Sequence, residues 1–149
     1  MIGLLQRVRE ASVDVDGETI AAIDRGLVVL VGVEQGDGPA QADRLAQRIL
    51  QYRVFADEQG RMNLDVRQVG GAVLAVPQFT LAADTRQGNR PGFSKAADSE
   101  TGKQLFDHLV AAMRRAGQVV VTGCFGANMQ VRLCNDGPVT FSLQVQPDD

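Results

Sequence analysis

The distribution of apolar runs along the chain constrains its fold most strongly. Apolar, β-branched runs recur from the first residues to the last, and only two segments show the helical spacing of apolar residues. These two segments do not alternate regularly with the strand-like ones, which argues against a doubly wound fold. The sequence therefore predicts an α+β fold, with a mainly antiparallel β-sheet or barrel and two amphipathic helices.

Local signals define several elements of this fold. Asp16 and Gly17 separate two strand-like runs, and glycine tolerates the positive φ of a tight hairpin turn. The run GLVVLVGV, residues 26–33, predicts a central strand that is covered on both faces. One helix is expected over residues 39–55, opened by Pro39, and the second is expected to extend from Thr101 to a C-cap at Gly117. The polar segment 84–98 predicts a loop.

Composition limits the classes of function. The 149 residues, of which 44% are hydrophobic, suit a single domain over residues 1–149. A net charge of −3 argues against a protein that grips long DNA duplexes, but it leaves room for a local basic patch. Neither a signal peptide nor a membrane-spanning run of about 20 apolar residues is visible, so we expect a soluble cytoplasmic protein.

The residues most often used in catalysis and metal binding are scarce. Cys124 and Cys134 lie in apolar, strand-like stretches, which predicts two reduced, buried thiols. No Cys/His ligand set occurs, so no metal is expected. The single histidine, His108, falls in the second helix, where other residues account for the core face, so we expect it at the helix boundary or surface. General acid–base chemistry by side chains is therefore weakly supported.

The stretch AVPQFTLAAD, residues 75–84, follows an apolar strand with polar side chains. Pro77 cannot donate to a β-ladder, so pairing is expected to stop there. If the strand continues, alternation turns Gln78 and Thr80 to one face and Phe79 to the other. The residues alone allow two interpretations: a frayed strand end in solvent, or one wall of a site.

A second stretch, NDGPVT at residues 135–140, has the composition of a turn between two strands. It contains Gly137-Pro138. Only about 5–6% of X–Pro bonds in folded proteins are cis, so the pattern alone predicts a trans bond.

Taken together, these stretches resemble the D-aminoacyl-tRNA deacylase family. The resemblance extends to MIGLLQRVREASVDVDGE, GLVVLVGVEQGD, YRVFADEQGRMNLDV and NRPGFSKAA, and it covers essentially the whole chain. It implies hydrolysis of the ester between a D-amino acid and the 3′-terminal adenosine of tRNA, without a cofactor. It also implies a homodimer with an active site at each end of the interface.

The resemblance also implies roles for individual residues. Gln78, Phe79 and Thr80 match the family's catalytic strand motif. Gly137 and Pro138 match a Gly-Pro motif that adopts a cis peptide, reaches into the partner's site and rejects L-amino acids. Further matches are Arg7, which helps to hold that motif, and two adenosine-pocket residues, Phe125 and Met129. Pro77 and Asn128 depart from the family, which usually has serine and aspartate at these positions.

Several mechanistic questions stay open at this stage. A shortage of bases favours attack by water, assisted by the 2′-OH of the tRNA, over attack by Thr80. We expect some of the cations Arg7, Arg86, Arg90 and Lys95 to contact acceptor-end phosphates. The alternatives are an esterase that uses Thr80 as its nucleophile, and an impaired homologue that only binds RNA or nucleotides. Misattached glycine is expected to be removed as well, because it lacks a side chain that could clash.

Overall fold

The computed structural model describes residues 1–148 and consists of eight strands, two α-helices and one 3₁₀ turn. In chain order the elements are β1 (Ile2–Val15), β2 (Glu18–Ile23), β3 (Gly26–Gly32), α1 (Pro39–Gln51), β4 (Phe55–Ala56), β5 (Met62–Leu64), β6 (Ala72–Pro77), the 3₁₀ turn (Phe79–Ala82), α2 (Ser99–Arg115), β7 (Val120–Thr122) and β8 (Gln130–Gln144).

Strand β1 organises the sheet. One of its edges pairs with β8 from Ile2 to Asp14, and the other edge is shared by β3 and β2. All of these pairings are antiparallel. The β1–β2 hairpin turns at Asp16 and Gly17, whose φ values of 50° and 80° fit a tight primed turn. The predicted hairpin is therefore confirmed.

The other half of the main sheet is parallel. Strand β6 pairs with β3, and β7 with β6, in parallel register. Helix α1 lies in the connection from β3 to β6, and α2 in the connection from β6 to β7. The sheet is thus mixed and nearly closes on itself like a barrel, which confirms the predicted α+β class with two helices.

Both faces of the sheet are covered. Helices α1 and α2 pack with alternate residues of β1, β3 and β6 in the larger core, which includes Leu27, Val29 and Val31. A second cluster on the inner face includes Val28 and Leu74. The predicted burial of strand 26–33 on two sides is confirmed.

Two predictions about the last third of the chain are wrong. Cys124 and Cys134 are both exposed, because Cys124 follows the end of β7 and Cys134 lies on the outer surface of β8. Segment 135–140 is not a turn either, since β8 runs continuously from Gln130 to Gln144. Within β8, Thr140 lies opposite Gln6 and Asn135 opposite Val8, so the residues between them bulge from the ladder.

The first residue is tied to the segment after β3. The Met1 amino group lies 3.2 Å from a Glu34 carboxylate oxygen and 3.0 Å from one of Asp37, and donates to the Val145 carbonyl at 2.7 Å. Residues 33–35 in turn pair with residues 95–97 just before α2. This arrangement fixes the segment that continues from β3 into one wall of the cavity described below as the candidate site.

Among residues 1–148, neither helix is long and apolar enough to cross a membrane.

Candidate active site

The main cavity opens at the carboxyl ends of the parallel strands β3 and β6, the usual place for a ligand in such sheets. It has a volume of about 420 Å³. Four segments form its wall: the end of β3, the end of β6 with the 3₁₀ turn, the first turns of α2, and the stretch from β7 into β8. Its lining includes Pro77, Gln78, Phe79, Asp98, Gly102, Phe125 and Met129.

The Gln78–Thr80 segment differs from the predicted extended strand. Strand β6 ends at Pro77, and the chain then turns into a 3₁₀ helix over Phe79–Ala82. Alternation therefore does not place Gln78 and Thr80 together. They meet because the Gln78 side-chain amide donates to the Thr80 hydroxyl across the turn.

The turn is anchored on β3. The Gln78 N–H donates to the Val31 carbonyl at 2.8 Å, which extends the β3–β6 ladder by one bond. A Cβ on Gly32 would lie 3.0 Å from the Leu81 Cβ, so the glycine allows the turn to sit against the strand. The backbone thus leaves the sheet at a fixed point and presents Gln78 and Phe79 to the cavity.

Phe125 and Met129 line the opposite wall, as part of the chain between β7 and β8. A Cβ on Gly102 of α2 would lie 3.5 Å from the Phe125 ring, so the ring packs closely on the helix backbone. The Met129 sulfur accepts the Cys124 N–H at 3.3 Å and lies where a Cβ on Gly123 would intrude. Two glycines, one in α2 and one just after β7, therefore leave the room that these side chains occupy.

The first turn of α2 adds a carboxylate to the wall. Asp98 caps the helix by accepting the Thr101 N–H. Hydrogen bonding by the Thr101 side chain, and then by its N–H, lowers the pKa of the Asp98 carboxyl. The sequence analysis missed Asp98 because it began the helix at Thr101. An aspartate three residues before a threonine at a helix start is the N-cap signal that could have found it.

The bulge in β8 carries Gly137 and Pro138, both exposed. Their peptide bond is cis, so the trans bond expected from the pattern alone is wrong. Asn135 spans the bulge: its amide donates to the Thr140 hydroxyl at 2.9 Å and its carbonyl accepts the Val139 N–H at 3.1 Å. Gly137 has a φ of 137°, and a Cβ there would lie 2.6 Å from a Val139 methyl group, so this position requires glycine.

Arg7 supports the bulge from β1. Its Nε donates to the Asp136 carbonyl at 3.0 Å, and its Nη1 donates to the Val54 carbonyl at 2.7 Å. The guanidinium is largely buried, with 16% of the side chain exposed. Arg7 therefore ties the backbone of the Gly-Pro segment to the segment before β4.

Within one chain, the bulge and the cavity lie at opposite ends of β3. Arg7 is paired opposite Leu27 near the start of the strand, whereas Pro77 is opposite Val31 near its end. Such a separation along a strand spans about 13 Å. Accordingly, neither Gly137 nor Pro138 lines the cavity of its own chain.

Comparison with known proteins assigns the chain. A family model described as D-Tyr-tRNA(Tyr) deacylase matches residues 4–144. The chain belongs to this family. The resemblance noted from the sequence motifs, and with it the assignment to a class of hydrolases, is confirmed.

Individual relatives agree with the family assignment. A protein named D-aminoacyl-tRNA deacylase from Thioalkalivibrio sulfidiphilus is 59% identical over 99% of this chain and 99% of its own length. One of the same name from Pseudomonas putida is 58% identical over 97% of this chain and 100% of its own. Among solved structures, one described as a c-Myc DNA unwinding element binding protein has a TM-score of 0.94 at 37% identity, covering 98% of this chain and 99% of that one. A probable eukaryotic D-amino acid tRNA deacylase shares the fold, with a TM-score of 0.77 at 16% identity over 95% of this chain and 98% of that one.

In this member of the deacylase family, the residues predicted for the site fall into two groups. Pro77, Gln78, Phe79, Phe125 and Met129 line the cavity, and Thr80 adjoins them through Gln78. The second group, Arg7, Gly137 and Pro138, gathers at the bulge.

The loop over residues 84–98 lies beside the cavity, and its cations are not equivalent. Arg86 donates two hydrogen bonds of 2.9 Å, from Nε and Nη2, to the two carboxylate oxygens of Asp84. This hydrogen bonding lowers the pKa of the Asp84 carboxyl. By contrast, Arg90 and Lys95 are exposed, and no carboxylate of residues 1–148 lies within ion-pair distance of either.

The sequence analysis also missed Phe93, whose ring contacts that of Phe79 with 5.1 Å between centroids.

Other candidate centres do not form in this member of the family. His108 lies at the surface of α2, where its Nε2 is 2.8 Å from an Asp43 oxygen of α1. The predicted position at the helix surface is therefore confirmed. Within residues 1–148, no three His, Cys, Asp or Glu side chains are grouped so that they could hold a metal ion.

Proposed function

We propose that this chain hydrolyses the ester bond of D-aminoacyl-tRNA to release the D-amino acid and free tRNA. The observation that carries the proposal is the cavity walled by the Gln78–Thr80 turn and by Phe125 and Met129, in a chain whose relatives are named D-aminoacyl-tRNA deacylase. Mischarged glycyl-tRNA is proposed as a second substrate, and the cytoplasm, where charged tRNA is used, as the site of action.

The terminal adenosine is proposed to occupy the apolar side of the cavity. Phe125 offers a ring and Met129 a polarisable sulfur, both suited to a planar base. The ester would then lie toward the Gln78–Thr80 turn. Because the first N–H groups of a helix have no partner within it, the amides of Phe79 and Thr80 are suited to stabilise the oxyanion.

The nucleophile is proposed to be water, assisted by the neighbouring 2′-OH of the tRNA. A threonine hydroxyl needs an adjacent base before it attacks. The Thr80 hydroxyl accepts a hydrogen bond from the Gln78 side-chain amide. An amide nitrogen can donate this hydrogen bond, but it cannot act as the base that removes the proton of the hydroxyl. The only histidine is paired with Asp43.

Chiral selection is proposed to need a second copy of the chain. The Gly137-Pro138 bulge lies exposed, held by Arg7 and Asn135, at the far end of β3 from its own cavity. In a homodimer this bulge would face the partner's cavity. The side chain of an L-amino acid would clash with it, so the L substrate would be rejected by steric repulsion. Arg90 and Lys95 are proposed to contact the acceptor-end phosphates.

The test is single-turnover deacylation of D-Tyr-tRNA and L-Tyr-tRNA by the wild type, Thr80→Val and Thr80→Ser. We expect the wild type to act on the D form alone, and Thr80→Val to stay within about ten-fold of Thr80→Ser, since removing a true nucleophile costs on the order of 10⁴-fold or more.

Two results would favour other functions. An isolated Thr80 ester, with hydrolysis of simple esters that lack a ribose 2′-OH, would support a Thr80 esterase. Binding of tRNA without hydrolysis above the enzyme-free control would support a binding module. This second candidate is favoured by the two departures from the family pattern, Pro77 and Asn128.

A further inference from the structure

Two large aromatic side chains stand exposed at the edge of the cavity. Phe79 is 60% exposed and Phe93 is 41% exposed, yet their rings contact each other at an interplanar angle of 49°. Isolated exposed apolar residues are common, but a contacting pair of phenylalanines beside a cavity indicates a binding surface.

The position of Phe93 is built into the fold. Residues Asp84 and Gly92 exchange two backbone hydrogen bonds of 2.7 and 3.0 Å, which close the base of the loop just before Phe93. On the other side, the Phe93 carbonyl accepts the Ala96 N–H at 3.2 Å, next to the pairing of Ala96 with Glu34. The ring of Phe93 is thus held against Phe79 by backbone bonds on both sides.

The charges around the ring pair define the chemistry of its partner. Arg90 and Lys95 flank Phe93 in the chain and are exposed, while the carboxylate of Asp84, at the base of the same loop, is bonded to Arg86. Exposed aromatic rings flanked by cations are suited to single-stranded nucleic acid, whose bases stack on the rings while its phosphates meet the cations.

We propose that the Phe79–Phe93 pair is a stacking platform for a base of the unpaired tRNA 3′ end, upstream of the terminal adenosine. Phe79 lines the cavity and Phe93 does not, so the pair extends the cavity wall outward along the path by which a strand would leave. This inference rests on the proposed function and assigns Phe93 a role in binding the nucleotides before the reacting one. Phe93 does not touch the ester, so it is not a catalytic residue.

The experiment compares Phe93→Ala, Phe93→Tyr and a control, Ile20→Ala, which removes an exposed apolar side chain from β2. Stacking of one base corresponds to roughly 5- to 100-fold in affinity. We expect Phe93→Ala to raise KM for D-Tyr-tRNA by such a factor with little change in kcat, and Phe93→Tyr and Ile20→Ala to behave like the wild type.

Two further measurements separate a binding role from a structural one. With 3′-D-tyrosyl-adenosine, which lacks the upstream nucleotides, Phe93→Ala should match the wild type; an equal loss on both substrates would overturn the proposal, since it would mean that Phe93 only positions Phe79. Binding of the uncharged RNA trinucleotide CCA is measured separately, and should weaken in Phe93→Ala.

The trinucleotide measurement does not depend on hydrolysis. If the chain binds CCA through Phe93 but deacylates nothing, the proposed function fails while the stacking platform stands. If the wild type does not bind CCA, or Phe93→Ala binds it equally well, the platform is refuted whatever the activity; a partner subunit covering the rings would give this second result.

Discussion

At the scale of single residues, Pro77 is placed where a proline does no harm to the sheet. Successive N–H groups of a strand point to opposite sides, and the Gln78 N–H points to β3, where it meets the Val31 carbonyl. The nitrogen of Pro77 therefore faces the β7 side, where the last bond of the ladder runs from the Gly123 N–H to the Ala75 carbonyl at 2.9 Å. Pairing with β7 stops at Pro77, as expected for a residue without an N–H, while pairing with β3 continues to Gln78.

This placement predicts that the serine usual in the family is dispensable here. We expect Pro77→Ser to change the single-turnover rate on D-Tyr-tRNA by less than about three-fold, well under 1 kcal/mol in activation free energy. Gln78→Ala serves as the comparison and should lower the rate by a larger factor, because it removes the side chain between the cavity and Thr80. A gain of ten-fold or more with Pro77→Ser would show that the hydroxyl or N–H takes part.

At the scale of elements, the shape of the cavity depends on how closely the β7–β8 connection approaches α2. Gly102 lies in the first turns of α2, and the edge of the Phe125 ring lies beside its Cα, where other residues carry a side chain. Glycine in a helix is unfavourable by roughly 0.5–1 kcal/mol relative to alanine. Alanine would still fit at this position, at ordinary contact distance from the Phe125 ring, but a larger side chain would meet the ring.

A graded substitution tests this packing. Gly102→Ala should be tolerated in activity and gain up to about 1 kcal/mol in the free energy of unfolding, since its Cβ would lie at van der Waals distance from Phe125. Gly102→Leu should displace the ring into the cavity and raise KM for D-Tyr-tRNA. Thermal unfolding distinguishes a displaced ring from a damaged helix. Equal activity of the alanine and leucine variants would contradict this account.

At the scale of the whole molecule, the two groups of predicted site residues are separated within one chain. The cavity group lies at the carboxyl end of β3, and the bulge group near its start, about 13 Å away along the strand. In a dimer of the proposed kind each bulge would face the partner's cavity once, and the two-fold symmetry would repeat the contact so that both cavities gain a second wall.

Mixed dimers provide the decisive measurement. One chain would carry Gln78→Ala with Gly102→Leu, both of which impair its own cavity, and the other Gly137→Ala, each with a different affinity tag. If the bulge acts in the partner's site, the doubly tagged dimer should discriminate D from L substrate at one of its two sites, with about half of wild-type activity. Dimers of either variant alone serve as controls. Mixed dimers no better than these controls would mean that the bulge does not act across the interface.

The elements predicted well are those that short-range patterns determine. The hairpin at Asp16-Gly17 follows from local φ preferences, and the burial of strand 26–33 from its unbroken apolar run. Both helices were predicted from apolar spacing, with ends that differ by a few residues: α1 ends at Gln51, and α2 begins at Ser99. The motifs were also sufficient to identify the family, because their order and spacing cover the whole chain.

What only the tertiary structure decided is how distant segments meet. The bulge at Asp136–Val139 exists because β1 pairs with β8 on both sides of it, a bond pattern between segments more than a hundred residues apart. Cys134 is exposed because its side chain lies on the face of β8 opposite to that of Leu133, which packs against the second core cluster, so local apolarity wrongly predicted its burial. Gln78 and Thr80 meet through a 3₁₀ turn that packs on Gly32, and Phe79 meets Phe93 through a closed loop. The sequence by itself determined the elements and the family, since these depend on neighbouring residues. The cavity and the separation of its two predicted halves depend on long-range pairing and packing, which only the folded chain fixes.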